Sequence, residues 1–160
     1  MLKPVKTKIA RASGGTFAII ASRYNAKFVD AMLRAAKAEL LRAGAKVQVV
    51  RVPGAYEIPV VAAKLARASR ITHHASLSAI ICLGVIVRGE TVHAAHIGDS
   101  VSRALMQIQL ETGIPVIHEV LLLENVEQAR VRCLDRKHNR GTEAAQTALE
   151  MARVMKTLGG

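Results

Sequence analysis

The sequence has no tryptophan, and only two phenylalanines and two tyrosines stand in its 160 residues. With so few aromatic rings the core has to be built from alanine, valine, isoleucine and leucine, side chains that suit helices packed closely on a parallel sheet. The same shortage argues against a nucleic-acid partner, because domains that bind single strands interleave rings with basic residues. Acidic residues are also scarce, 12 against 23 lysines and arginines, which leaves a formal charge of +11. That excess reads either as a solvated basic surface or as a preference for an anionic ligand or polyanionic partner; it bears on association and not on fold. There are two cysteines, Cys82 and Cys133. With no secretory signal they point to reduced thiols in the cytoplasm. The first residues are basic but have no long apolar stretch, which argues against a signal peptide. Every apolar run is interrupted by Arg, Glu or Gly before it reaches membrane-spanning length, so no membrane association is expected.

Hydrophobic residues make up 51% of the chain, which excludes general disorder. The length suits one domain with a sizeable core. Residues 1–15 are basic, contain Gly and Ser, and lack a pattern, so they read as a flexible or partner-docked arm. A single domain is expected over 16–158. The spacing predicts a buried strand over 16–21, then a helix capped by Asn25. In that helix Phe28, Val29, Met32, Leu33, Ala36 and Leu40 share one face, and Gly44 ends it. A second strand is predicted over 46–52 and is broken by Pro53-Gly54. A helix over 57–67 follows, with Pro59 in its first turn. Residues 77–87 form the clearest strand, followed by the polar turn 88–91. A helix over 94–111 buries Ile97, Val101, Ala104, Leu105 and Ile108 and ends at Gly113. A fourth strand covers 115–122, a helix 124–132, a basic loop 135–141 and a last helix 142–157. The last helix turns Ala145, Ala148, Leu149, Ala152 and Met155 inward. His73-His74 reads as surface. There is no internal repeat.

Strands alternating with helices predict a four-stranded parallel sheet covered on both faces, an α/β fold. With right-handed crossovers this becomes a three-layer α/β/α sandwich of flavodoxin-like kind, in which ligands sit at the carboxyl ends of the strands. Those ends carry the unusual polar residues. Tyr24 is either a packing aromatic or a stacking platform for a heteroaromatic ligand. Glu57 is either a first-turn carboxylate favoured by the helix dipole or an acceptor for ligand hydroxyls at a helix start. Gly89 allows close backbone approach, and Thr91 with nearby N–H groups makes a plausible phosphate cradle. His93 reads as a capping or surface residue, or as a group that gives and takes protons near neutral pH. His93 and His96 form an H-x-x-H pair, but no third ligand stands at a recognised spacing, so no metal site is expected. Arg130, Arg132, Arg136, Lys137 and Arg140 are mostly solvated in this reading, with one or two available to close over a phosphate.

Several stretches, in order, resemble the lumazine synthase family. They are Arg23-Tyr24-Asn25, Val52-Pro53-Gly54-Ala55-Tyr56-Glu57-Ile58-Pro59, and Leu83-Gly84-Val85-Ile86-Val87-Arg88-Gly89-Glu90-Thr91-Val92-His93. Further on come Ile114-Pro115-Val116, Glu124-Asn125-Val126-Glu127-Gln128-Ala129 and Asn139-Arg140-Gly141. The resemblance spans about Thr16 to Met155. It implies condensation of 5-amino-6-(D-ribitylamino)uracil with 3,4-dihydroxy-2-butanone 4-phosphate to 6,7-dimethyl-8-ribityllumazine, with loss of phosphate and water. No cofactor and no metal are implied. His93 would be the general acid/base. Tyr24 would stack on the pyrimidine, with Asn25 beside it. Ala55, Tyr56 and Glu57 would form the ribityl site, and the backbone of Ile86 and Val87 would contact the pyrimidine edge. Gly89, Glu90, Thr91 and Arg132 would face the phosphate. Arg140 stands where lysine is usual and would be a further substrate-binding residue, with Glu143 as its carboxylate partner. The family's sites lie between subunits, so the resemblance further implies a homo-oligomer, a pentamer or a multiple of pentamers, with riboflavin synthase as a candidate partner.

The chain departs from the family pattern in three places. His118 replaces an aromatic residue over the neighbouring site's ligand, Tyr24 replaces a commoner Phe or Trp, and the loop 135–139 lacks the glycines of many shell-forming members. Two alternatives stand beside the enzyme, the first motivated by Tyr24 and His118 and the second by the net charge. One is a lumazine or riboflavin binder on the same fold without turnover. The other is a shell-forming protein whose basic surface holds polyanions or cargo.

Overall fold

The computed structural model of the chain describes residues 14–71 and 76–159. The elements follow in strict alternation: β1 (Thr16–Ser22), α1 (Ala26–Arg42), β2 (Lys46–Val52), a 3-10 turn (Ala55–Glu57) and α2 (Ile58–Ile71). After these come β3 (Ala79–Val87), α3 (His93–Thr112), β4 (Val116–Leu123), α4 (Val126–Leu134) and α5 (Arg140–Gly159). The four strands form one parallel sheet in the order β2-β1-β3-β4. Helices cover both faces, as the alternation predicts. The arm expected over 1–15 falls almost wholly outside the described residues, as does His73-His74.

Side chains one apart along a strand point to opposite faces, and here they feed two cores. Phe17, Ile19 and Ala21 of β1 join Ile81, Leu83 and Val85 of β3 under α1, α4 and α5. Ala18 and Ile20 join Ile80 and Cys82 under α2 and α3. β1 and β3 are central and buried on both faces, which is why they read as continuous apolar runs. Each fully buried Ile or Leu contributes about 1.5–3 kcal/mol relative to exposure. The two cysteines are free and buried, one in each core. No described helix is long and apolar enough to cross a membrane.

The helix faces agree with the periodicity at Phe28, Val29, Met32, Ala36 and Leu40 and, in α5, at Ala145, Ala148 and Leu149. Met155 differs. It is 37% exposed because α5 outruns the sheet beneath it. Asn25 also departs from expectation. It stands at the start of α1, but its backbone is left-handed (φ 56°) and its side chain makes no cap. Its Nδ2 instead donates to the Val85 carbonyl at 2.7 Å, tying the end of β1 to the end of β3.

Candidate functional site

In a sheet of order 2-1-3-4 the connections from β1 and β3 leave in opposite directions, and the crevice between their carboxyl ends is the natural ligand site. A cleft of about 700 Å³ lies there. It is lined by Tyr24 and Asn25 after β1, by Ala55, Tyr56 and Glu57 after β2, and by Ile86 and Val87 at the end of β3. α3 adds His93, His96, Ile97 and Ser100. These four are spaced one helical face apart, so the start of α3 forms a wall. His93 and His96 carry a signal in the sequence, Ile97 packs against the core as its spacing predicts while also lining the cleft, and Ser100 gives no signal.

Local chemistry explains each position. The Tyr24 N–H donates to the Pro53 carbonyl at 3.1 Å and the Arg23 N–H to Val52 at 2.9 Å, which laces the β1 end to the β2 end. Gly54 permits this, since a Cβ there would meet Glu57 Oε2 at 2.9 Å and the Tyr24 ring at 3.4 Å. Tyr24 is 73% exposed and Tyr56 63%, so neither is a core-packing aromatic within the subunit. Glu57 takes the first-turn role, its Oε2 accepting the Gly54 N–H at 2.9 Å. Its other oxygen has no hydrogen-bond partner among the described residues. Gly84 lets Ala55 sit close to β3: a Cβ on Gly84 would lie 3.1 Å from Val120, 3.4 Å from Ile58 and 3.5 Å from Ala55.

Gly89, Glu90 and Thr91 lie in the exposed turn between β3 and α3. Nothing lies within 4 Å of a Cβ built on Gly89, so no contact inside the chain requires glycine there. The turn is braced at its first residue. Arg88 N–H donates to the Leu123 carbonyl at 2.8 Å and its guanidinium pairs with Glu124 at 2.9 Å. α3 begins without a side-chain cap, leaving first-turn N–H groups free beside His93. Among the described residues no group of three or more His, Cys, Asp or Glu could hold a metal ion.

Three expected site residues stand apart from this cleft. His118 projects from β4 toward α3. Its Nδ1 accepts the Val120 N–H at 3.2 Å, so the neutral ring carries its proton on Nε2 and donates it to Ser102 Oγ, 2.7 Å away. Ser102 passes its own proton to the Gly98 carbonyl at 2.8 Å. Enclosure against α3 lowers the His118 pKa below the ordinary 6.5. A histidine with a depressed folded pKa stabilises above the unfolded value, and that contribution is lost as pH falls through the folded one. An NMR titration is expected to place the His118 midpoint below 6.5. A midpoint at or above that value would contradict this bonding pattern. Arg132 on α4 and Arg140 at the start of α5 lie on the other side of the sheet. Arg132 is exposed and without an ion pair among the described residues. Arg140 is paired with Glu119 and, as the resemblance implied, with Glu143.

The family model described as 6,7-dimethyl-8-ribityllumazine synthase matches residues 14–156 of this chain. A protein of that name from Stenotrophomonas maltophilia (strain K279a) is 43% identical over 145 residues, 89% of this chain and 90% of its own length. Another, from Desulfotalea psychrophila (strain LSv54 / DSM 12343), is 42% identical over 151 residues, 92% of this chain and 94% of its own length. A third, from Xylella fastidiosa (strain M12), is 42% identical over the same share of both chains. A cleft at the strand-order reversal, walled by His93 and bordered by two exposed tyrosines, thus sits in a chain that belongs to the 6,7-dimethyl-8-ribityllumazine synthase family.

Proposed function

We propose that the cleft carries out the reaction for which the family is named. The chain condenses 5-amino-6-(D-ribitylamino)uracil with 3,4-dihydroxy-2-butanone 4-phosphate to 6,7-dimethyl-8-ribityllumazine. The ring amine attacks the sugar carbonyl and water leaves as the imine forms. Loss of a proton and of phosphate follows, and the ribityl-bearing nitrogen then closes the second ring with loss of a second water. Each step needs a proton moved and none needs a cofactor or a metal. The observation that carries this reading is the convergence of Tyr24, Asn25, Ala55, Tyr56, Glu57, Ile86, Val87 and His93 on one cleft.

In this reading His93 moves the protons. Tyr24 stacks on the pyrimidine, and Asn25 and the backbone of Ile86 and Val87 meet its polar edge. Glu57 accepts ribityl hydroxyls with the oxygen that does not hold Gly54. Gly89, Glu90, Thr91 and the start of α3 receive the phosphate, for which a helix N-terminus is suited. His118 and Arg132 serve the site of a neighbouring copy. Their distance from the cleft in one subunit supports a shared site, and with it a cyclic homopentamer or a multiple of pentamers. The working unit is one domain over 16–158 with a basic arm before it, in the cytoplasm, with riboflavin synthase as the partner that consumes its product.

Arg132→Ala separates the two substrates. The KM for the butanone phosphate is expected to rise about tenfold, as for loss of a charge-assisted phosphate contact. The KM for the ribitylamino-uracil stays within about twofold. An unchanged sugar-phosphate KM would remove Arg132 from the site.

A further inference from the structure

In β4 the residues facing α4 and α5 alternate with those facing α3. Ile117 and Leu123 are buried in that core and Leu121 is packed against it, yet Glu119 stands in the same row with only 6% of its surface exposed. A carboxylate in an apolar row has to be paired. Glu119 grips Arg140 as a fork: Nε donates to Oε2 at 3.1 Å and Nη2 to Oε1 at 2.8 Å. Arg140 Nη1 donates to Glu143 Oε2 at 2.5 Å. Three of the five guanidinium N–H groups are thereby committed and its single charge faces two carboxylates.

The backbone under Arg140 is equally fixed. Asn139 Oδ1 accepts the Gly141 N–H at 2.8 Å, and Asn139 Nδ2 donates to the Cys133 carbonyl, joining α5 to the end of α4. Arg132 lies on that same last turn of α4. It has no carboxylate partner of its own among the described residues. The cluster therefore holds one neutralised arginine and one free one.

We infer that Glu119 is a positioning residue of the phosphate subsite: with Glu143 it locks and neutralises Arg140, leaving Arg132 as the cation that holds the phosphate. This rests on the reading above, in which Arg132 meets the sugar phosphate. The chemistry supplies a reason for such a device. Inorganic phosphate is a product, and two free guanidinium groups would hold it more tightly than one. Arg140, at the position where the resemblance implies a ligand, is thereby a strut.

Calorimetric titration of inorganic phosphate into the assembled protein tests this. Arg132→Met is expected to weaken phosphate about tenfold, and Arg140→Met by less than about twofold. Glu119→Gln, which leaves Arg140 facing the Glu143 carboxylate alone and adds one positive charge to the cluster, is expected to tighten phosphate about threefold or more. Glu119→Gln should also lower the KM for the sugar phosphate, leave the KM for the pyrimidine unchanged and strengthen product inhibition. A merely structural role would produce none of that split. Glu119→Asp should restore wild-type phosphate affinity, and Glu119→Gln combined with Arg140→Met should return to it. If Glu119→Gln does not fold, its combination with Arg140→Met, which leaves no unpaired charge in the apolar row of β4, decides. A phosphate loss matching that of Arg132→Met, in a wild type that turns over, overturns this inference alone. A folded wild type with neither turnover nor phosphate binding overturns the reading beneath it.

Discussion

Replacing His93 by asparagine is expected to slow product formation about 10²- to 10⁴-fold, the range lost when a positioned acid/base is removed. His93 is the first residue of α3, exposed, and set in the wall of the cleft. The other titratable groups in the lining are Tyr24, Tyr56, Glu57 and His96. Glu57 is already engaged with the Gly54 N–H. That leaves imidazole as the group that both donates and accepts protons near neutral pH. The substitution sits at an exposed helix start, so stability should change by no more than about 0.5 kcal/mol. The check is kcat and kcat/KM with unfolding measured on the same sample. If His93→Asn keeps the wild-type rate while His96→Asn loses it, the proton-transfer role moves one helical turn along α3.

The largest effect on stability is expected from Gly141→Ala. A Cβ on Gly141 would lie 2.0 Å from the Met32 carbonyl oxygen and 2.6 Å from its carbon. Both are backbone atoms of α1, so no side-chain rotation relieves the clash, and α5 has to withdraw from α1. Overpacking of this kind costs about 3 kcal/mol. For a domain of this size that lowers Tm by about 6–12 °C. A wild-type Tm for Gly141→Ala would show that the two helices are less tightly fitted.

The layers of this protein were readable because hydrophobic burial leaves a period in the sequence. β3 is central and apolar throughout, and α1 repeats its buried residues at helical spacing. The exceptions have local causes. α5 begins two residues earlier than predicted because Asn139 caps it: the Gly141 N–H meets the Asn139 side chain and the Thr142 and Glu143 N–H groups meet its carbonyl. The segment after β2 opens as a 3-10 turn before α2, since Glu57 folds back onto Gly54. Asn25 misled as a cap because its partner, Val85, is sixty residues away and leaves no local trace.

The cleft was legible for a different reason. Strand ends converge by topology, so the polar residues after β1, β2 and β3 had to meet near the reversal of strand order. Glu119 was not legible. Its charge within an apolar row has meaning only once Arg140 is seen to fork onto it across 21 positions. Nor does any periodicity reveal that His118 shares its protons with Ser102, or that Arg132 stands across the sheet from the cleft.

The most direct test is to supply the purified protein with the ribitylamino-uracil and the butanone phosphate and follow the lumazine by absorbance and fluorescence. The account predicts turnover without added metal or cofactor, with one inorganic phosphate released per lumazine formed. A folded protein that leaves verified substrates unchanged would contradict it.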